Sequence, residues 1–217
     1  MRKRRWDKVL VFVLGLAPLF WLSWRAYNQF KGIYPYNLTA NPLEFITHYT
    51  GDWTLRLILV GLAVTPLRKI LNLPFLIQYR RMIGLFAFFY GCLHFLTYIW
   101  FDKFFDVHEM IADVAKRRYI TVGFASFVAL IPLAITSTKG WIRRLGGKRW
   151  QRLHRLVYFT AVGGVIHYYW LVKSDIRLPV LYAFIAALLL GWRIQVWMRN
   201  RRPVAPPARK SQQPVAQ

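Results

Sequence analysis

The stretch MIGLFAFFYGCLHFLTYIWF, residues 82–101, decides the fold class, and LHRLVYFTAVGGVIHYYWLV, residues 153–172, has the same character. Each runs for about 20 mainly apolar residues, the length of helix that crosses the hydrocarbon core of a bilayer. Each also contains histidine: His94 in the first stretch, His154 and His167 in the second. A polar side chain at such depth is energetically costly, so these histidines indicate a functional site.

The composition also favours a membrane protein. Of 217 residues, 56% are hydrophobic and 18% are charged, and a soluble fold of this size would expose large apolar patches. The sequence predicts an all-α membrane protein, a six-transmembrane-helix bundle over residues 1–198. The predicted spans are 9–27, 43–67, 82–101, 119–136, 153–172 and 178–198. The second is the least clear, because it contains Glu44, Asp52 and Arg56.

The distribution of charge predicts the orientation. The net charge is +23, which on a soluble protein would suggest a nucleic-acid partner, but the basic residues lie between the apolar stretches. With six spans, one side carries 22 of the 31 Lys and Arg residues and one acid, whereas the other carries nine basic residues and seven acids. This bias predicts that both termini lie in the cytoplasm and that nucleic acid is not a partner. Residues 199–217, basic and proline-rich, are predicted to be a disordered cytoplasmic tail that touches anionic lipid.

The depths of two histidines match. His94 lies 12 residues after Met82, and His167 lies 14 residues after Leu153, so both lie about 18–21 Å from the cytoplasmic ends of helices that run outward. Two facing histidines can supply both axial ligands of a haem iron, an arrangement suited to electron transfer. We therefore predict that His94 and His167 bind haem iron between helices. The one cysteine, Cys92, lies in no C-x-x-C-H sequence, so the haem would be held without covalent attachment.

A second level is predicted nearer the cytoplasm. His154 precedes His167 by 13 residues, and Arg80 precedes His94 by 14. We predict His154 as a further iron ligand and Arg80 as the partner of a haem propionate, because a guanidinium is a poor metal ligand and a good carboxylate donor. On a straight helix His154 and His167 would point about 140° apart, unless Gly163 and Gly164 permit a bend.

Other segments leave alternatives open. His48, at the outer end of the second span, would approach the outer haem or an electron acceptor, or else be a satisfied polar helix end. The outer loop of residues 102–118 is either a short helix on the membrane or a docking surface. The basic segment of residues 139–155 is interpreted as a cytoplasmic loop. No internal repeat, Gly-rich nucleotide-binding loop or soluble cofactor domain is apparent, so electrons would come from a separate flavoprotein or from quinol.

Several fragments resemble the MsrQ (YedZ) family of bacterial membrane proteins. They are His48-Tyr49-Thr50-Gly51, Thr65-Pro66-Leu67, Arg80-Arg81-Met82-Ile83-Gly84-Leu85, Leu93-His94-Phe95-Leu96-Thr97-Tyr98, Trp150-Gln151-Arg152-Leu153-His154 and Ile166-His167-Tyr168. Together they cover roughly residues 42–172, and the combination is specific although each fragment alone is weak. The resemblance extends to the ferric-reductase-like and NADPH-oxidase membrane domains.

The resemblance implies a function. It implies one or two b-type haems on His94, His154 and His167, in a non-catalytic electron-transfer subunit of the bacterial inner membrane. Electrons would pass from quinol or a cytosolic flavin reductase to the periplasmic molybdopterin enzyme MsrP, which reduces methionine sulfoxide in oxidised proteins. The family is also described as binding FMN. Arg80 departs from the four-histidine pattern of the oxidase relatives.

Three other functions remain open from the residues. A ferric-type reductase would pass electrons to a small outer acceptor. A transporter would use the buried histidines as a proton relay and would bind no chromophore. A plain membrane anchor for a periplasmic enzyme would need none of the histidines.

Overall fold

A computed structural model describes residues 3–33 and 38–201, and in this part of the chain all regular structure is helical. The eight α-helices are α1 Lys3–Phe30, α2 Pro42–Ile70, α3 Arg80–Thr97, α4 Val107–Lys116, α5 Arg118–Ile135, α6 Lys139–Leu153, α7 Leu156–Leu171 and α8 Arg177–Arg201. A short 3-10 helix, Pro74–Tyr79, leads into α3, and a π-helical turn, Tyr98–Asp102, extends it.

Local sequence explains where several helices begin. The Asn41 side chain accepts a hydrogen bond from the Glu44 amide at 3.3 Å, and Pro42 follows at the first helical position of α2. Asp106 caps α4 through the Glu109 amide at 2.9 Å. Such caps satisfy amides that have no partner within the helix, and proline loses nothing at a position whose amide would be unpaired.

Four helical segments are long and apolar enough to cross a membrane: Trp6–Phe30, Pro74–Asp102, Arg118–Ile135 and Arg177–Asn200. They include or overlap four of the six predicted spans. The other two predicted spans lie mainly in α2 and α7, which differ for physical reasons. Helix α2 carries internal charges, and α7 has only 16 residues, about 24 Å of helix.

Two boundaries differ from the sequence interpretation. The basic segment of residues 139–155, interpreted as a loop, forms α6, which begins at a Thr138 cap and is interrupted at Gly146 (φ 71°). His154 caps the C-terminal end of α6 and α7 begins at Leu156, so His154 and His167 are not on one helix. The expected 140° conflict therefore does not arise, and no bend at Gly163 is needed. Beyond residue 201, the predicted tail lies outside the described residues.

Two helix pairs form the centre of the bundle. Helix α2 packs along α3, and α5 packs along α7. Between the pairs lies an apolar cluster that includes Leu62, Ala87, Leu130 and Ala161, all nearly fully buried. Helices α1 and α8 lie outside these pairs and expose large apolar side chains, among them Phe12, Phe20, Phe184 and Leu188. Such continuous exposed apolar faces suit a lipid environment.

The α5–α7 contact depends on Gly163. A Cβ built at Gly163 overlaps Ser126 Oγ, whereas Ser126 Cβ lies 3.4 Å away. We expect Gly163→Ala to lower the free energy of unfolding by about 1–3 kcal/mol, the usual cost of overpacking a well-packed interior. The added Ser126→Ala change removes the overlapping oxygen and should recover most of the loss. Thermal unfolding in detergent measures both, and equal stability of Gly163→Ala and wild type would contradict this packing.

Candidate functional site

His94 of α3 and His167 of α7 face each other across the interior of the bundle. Their ring centroids are 6.1 Å apart, and the ring planes make an angle of 75°. The two side chains come from different helix pairs, so the site forms only when the pairs assemble. The predicted equal depth of these two histidines is consistent with this geometry.

Each of these histidines is held by a backbone carbonyl of the neighbouring helix. His94 Nδ1 lies 2.9 Å from the Thr47 carbonyl oxygen, and His167 Nδ1 lies 2.7 Å from the Tyr119 carbonyl oxygen. Because a carbonyl only accepts, each Nδ1 carries the proton and donates it. The lone pair of each ring is therefore on Nε2, the nitrogen left to bind a metal, which is the usual arrangement for histidine ligands.

Two glycines make room for these rings. A Cβ at Gly51 would lie 3.1 Å from His94 Nδ1, and a Cβ at Gly123 would lie 2.5 Å from His167 Nδ1. A larger residue at either position would displace the ring from its carbonyl partner. Glycine in a helix interior costs about 0.5–1 kcal/mol relative to alanine, and here the close approach of the ring accounts for it.

The two histidines line a cavity of about 440 Å³. Its wall is mainly apolar and comes chiefly from α2, α3, α5 and α7, with Gly51, Gly91, Gly123 and Gly164 on it. The volume lies within the range of small-molecule and cofactor pockets. A glycine on each of four helices leaves space for a flat, wide group between them.

The donor set fits haem. Imidazole nitrogens bind a metal such as zinc at about 2.0–2.1 Å, so two imidazoles whose Nε2 atoms face each other across one metal have ring centres about 6 Å apart. The observed separation of 6.1 Å agrees. Within the described ranges, no three His, Cys, Asp or Glu side chains form a metal-binding group. A porphyrin brings four nitrogens of its own, so two imidazoles such as those of His94 and His167 would suffice to hold its iron.

The predicted inner level has a different arrangement. His154 Nε2 lies 3.0 Å from Thr136 Oγ1, and the ring stacks on Trp150 with centroids 3.9 Å apart. Arg80 begins α3 and is half-buried. Among the described residues, no carboxylate forms an ion pair with Arg80, so its predicted anionic partner is not supplied by this part of the chain. Ligation at this level stays a prediction.

The remaining polar residues of α2 surround the outer cavity. His48 and Asp52 both contribute to its wall, and His48 is exposed. Asp52 Oδ2 lies 3.3 Å from Arg56 Nη2, and Arg56 Nε donates to the Tyr182 hydroxyl of α8 at 2.7 Å. Two of the three charges that make the second span unclear in sequence, Asp52 and Arg56, are therefore paired with each other, and Arg56 also bonds a neighbouring helix. Such pairing is the usual condition for charge in a membrane segment.

An ion-pair cluster joins the turn after α3 to α4, at the end of the bundle that was predicted to lie on the outer side. Lys103, 5% exposed, lies 2.6 Å from Asp113 Oδ2 and 2.7 Å from Glu109 Oε1, and Asp113 Oδ1 lies 3.4 Å from Arg117 Nε. We call these four residues the outer clasp. It connects the turn after α3, the helix that carries His94, to α4 and to Arg117 at the start of α5. Helix α5 contains Tyr119, whose carbonyl bonds His167. Within the segment of residues 102–118, Val107–Lys116 form α4. Its expected roles, a helix on the membrane or a docking surface, both stay predictions.

The carbonyl and glycine partners of the histidines were not predicted from the sequence. The signal that could have revealed them is a repeat. Gly91-Cys92-Leu93-His94-Phe95 matches Gly164-Val165-Ile166-His167-Tyr168 as G-x-x-H-aromatic, and the carbonyl partner precedes its histidine by 47 residues in one case and 48 in the other. The expectation of no internal repeat does not hold at this level of detail.

Comparison with known proteins adds a family relationship. Residues 50–165 match the family model of the ferric reductase like transmembrane component. The chain is 58% identical over 197 residues to the protein-methionine-sulfoxide reductase heme-binding subunit MsrQ of Herminiimonas arsenicoxydans, covering 90% of this chain and 87% of the relative. It is 48% identical to the subunit of the same name from Bordetella pertussis over 196 residues, 89% of this chain and 91% of the relative. It is 46% identical to that of Caulobacter vibrioides over 207 residues, 92% and 94% of the two chains. No solved structure matches.

The outer clasp predicts a pH dependence. The Lys103 ammonium, hydrogen-bonded to Asp113, holds the pKa of that carboxyl below its ordinary 3.8. Because the folded pKa is depressed, the stabilisation is complete above the unfolded pKa of about 3.9 and is lost as the pH falls through the folded value. The hydrogen-exchange protection factors of residues 103–117, which correct for the intrinsic pH dependence of exchange, should therefore fall below about pH 4. In Asp113→Asn this acid-induced change should be smaller and protection lower at neutral pH; an unchanged profile would contradict the role of the ion pair.

Proposed function

The chain belongs to the MsrQ family of ferric-reductase-like membrane proteins, and from that premise we propose that it is a transmembrane electron-transfer subunit. In this proposal haem b is held by His94 and His167. Electrons reach it from quinol or a cytosolic flavin reductase and leave to a periplasmic molybdopterin methionine sulfoxide reductase of the MsrP type. The activity supports repair of oxidised periplasmic proteins, and the subunit itself catalyses no reaction on them.

One observation carries the proposal: two imidazoles 6.1 Å apart, each with Nδ1 bonded to a carbonyl, beside a cavity of about 440 Å³. Haem supplies one-electron redox chemistry when bound. His94 and His167 would hold its iron. The apolar wall would limit water around the group, and the bonds to the Thr47 and Tyr119 carbonyls would fix the orientation of the two rings.

The proposed orientation follows from charge. Six spans with both termini in the cytoplasm of a bacterial inner membrane place the basic helix α6 on the inner side and the outer clasp on the periplasmic side. The pair His94–His167 then lies in the outer half, close to a periplasmic acceptor. Helix α2, whose internal charges are paired, would count as a span despite its low hydropathy, and so would the short α7.

The inner level is proposed as a second cofactor position. His154 would supply a ligand once freed from Thr136, and Arg80 would pair with a propionate, because it has no carboxylate partner among the described residues. His48, on the cavity wall and exposed, is proposed to lie on the outward path of the electron. FMN is part of this proposal only through the family.

The histidine geometry separates this proposal from a proton relay. A relay needs rings that exchange protons between both nitrogens, but here each Nδ1 is committed to a backbone carbonyl, which cannot accept a proton onward. A ferric-type reductase with a small outer acceptor remains the second candidate, because the family model that matches is that of the ferric reductase like transmembrane component.

We expect the purified protein, expressed with haem supplied, to show a Soret band that shifts on dithionite reduction. His94→Ala and His167→Ala should each lose the haem of this level, because one axial ligand is removed. His108→Ala, which changes an exposed histidine of the outer segment, is the matched control and should retain the spectrum. Full haem content in both ligand variants, or a colourless folded wild type, would refute the proposal.

Electron delivery is tested by re-oxidation. The reduced protein in detergent should be re-oxidised when the periplasmic methionine sulfoxide reductase and methionine sulfoxide are added together, and slowly with either alone. Rapid re-oxidation by a ferric chelate without the partner would favour the ferric-type reductase. His94→Ala should abolish delivery to the partner, whereas His108→Ala should leave its rate within about twofold, as for a surface change away from the site.

A further inference from the structure

We propose that the backbone of α2 and that of α5 carry two copies of one ligand-positioning device. Each copy consists of a carbonyl and a glycine four residues later: Thr47 with Gly51, and Tyr119 with Gly123. We call each copy a histidine seat. The two seats hold the imidazoles crossed, that is, with their ring planes nearly perpendicular to each other. This inference rests on the proposed function and deepens it, since it assigns positioning residues for the same haem ligands.

The geometry of a seat follows from helix periodicity. Residues four apart lie one above the other on a helix face. The carbonyl of the first residue accepts the imidazole N–H, and the missing side chain of the second leaves room for the ring. Both parts are needed, because a Cβ at either glycine would push the ring away from its carbonyl. His94 would then lose its hydrogen bond of 2.9 Å, and His167 its hydrogen bond of 2.7 Å.

The two seats share their context as well as their shape. Each seat helix packs along the helix that carries its histidine, α2 with α3 and α5 with α7. A glycine lies three residues before each histidine, Gly91 before His94 and Gly164 before His167, and both face the cavity. Two helix pairs with the same seat, the same glycine and the same histidine are a structural repeat across the cofactor position.

The seats determine the angle between the rings. Each imidazole plane contains its N–H bond and must therefore turn toward its own carbonyl, and the two carbonyls lie on opposite helix pairs. The result is the interplanar angle of 75°. The seat of His167 is the tighter of the two. A Cβ at Gly123 would lie 2.5 Å from His167 Nδ1, whereas a Cβ at Gly51 would lie 3.1 Å from His94 Nδ1. Gly123 is therefore the position that constrains the crossing most strongly.

Crossed axial imidazoles have a spectroscopic signature. Ferric low-spin haem with nearly perpendicular imidazole planes gives a strongly anisotropic electron paramagnetic resonance spectrum, whereas parallel planes give a rhombic one. The N–H to carbonyl bond also makes the imidazole a stronger donor to the metal, so a displaced ring should change the midpoint potential. Both readouts report ligand orientation, which a role in packing alone would not alter.

The test uses the full-length holoprotein and three glycine variants. Gly51→Ala and Gly123→Ala alter the two seats. Gly84→Ala is the matched control, because it also lies inside a helix, α3, and a Cβ there meets nothing within 4 Å. Haem content, the ferric resonance spectrum and the midpoint potential are measured on each variant, with thermal unfolding to verify that it is folded.

We expect wild type and Gly84→Ala to give the anisotropic spectrum. Gly51→Ala should retain haem with a more rhombic spectrum and a shifted potential. Gly123→Ala should show the larger change and should bind haem up to about tenfold more weakly, because one net hydrogen bond is worth up to about tenfold in an equilibrium constant.

Each contrary result has a distinct meaning. A rhombic spectrum in wild type, or seat variants with the spectrum and potential of Gly84→Ala, would overturn the histidine seats while leaving haem binding intact. If Gly123→Ala does not fold, Gly51→Ala alone decides between the two outcomes. A wild type without haem would instead refute the proposed function, and the seats with it.

Discussion

The hydrogen bonds of two buried imidazoles are the constraint on which the site depends. Away from water, an unpaired N–H is costly, so each histidine needs an acceptor inside the bundle. Most backbone carbonyls of a helix already serve the helix itself, but each has a second lone pair. Thr47 and Tyr119 offer that lone pair to His94 and His167. Once both Nδ1 protons are placed, both Nε2 lone pairs are free for a metal, and the two helices within each pair are held in one relative position.

The sequence predicted some of this and not the rest, for identifiable reasons. Counting residues from the ends of apolar stretches matched the depths of His94 and His167, because helix rise is constant. It placed His154 on the same helix as His167, whereas His154 caps α6, because the turn between α6 and α7 does not appear in the hydropathy. The seats escaped notice because their acceptor is a backbone atom, which no side-chain pattern reveals. The only sequence feature that indicates the seats is the pair of glycines at 51 and 123. A single glycine in an apolar helix can have many other structural reasons.

Charged side chains inside and beside the bundle also need partners. Asp52 and Arg56 pair with each other, and Arg56 also reaches Tyr182. On the outer side Lys103 is buried among acidic residues. These interactions link helices that the apolar contacts alone would leave free to slide. The clasp in particular connects the ends of the helices that carry and hold the histidines, so the outer segment contributes to the rigidity of the site beneath it.

The repeat explains why the outer and inner levels differ. His167 follows His94 by 73 residues. The residue that precedes His154 by the same number is Arg81, the neighbour of Arg80. The two helix pairs are thus matched at the outer level, where each contributes a histidine, and unmatched at the inner level, where one contributes a histidine and the other arginines. A metal at the outer level can take both ligands from equivalent positions. At the inner level the protein presents one imidazole and positive charge, an arrangement that attracts the carboxylates of a cofactor more readily than its metal.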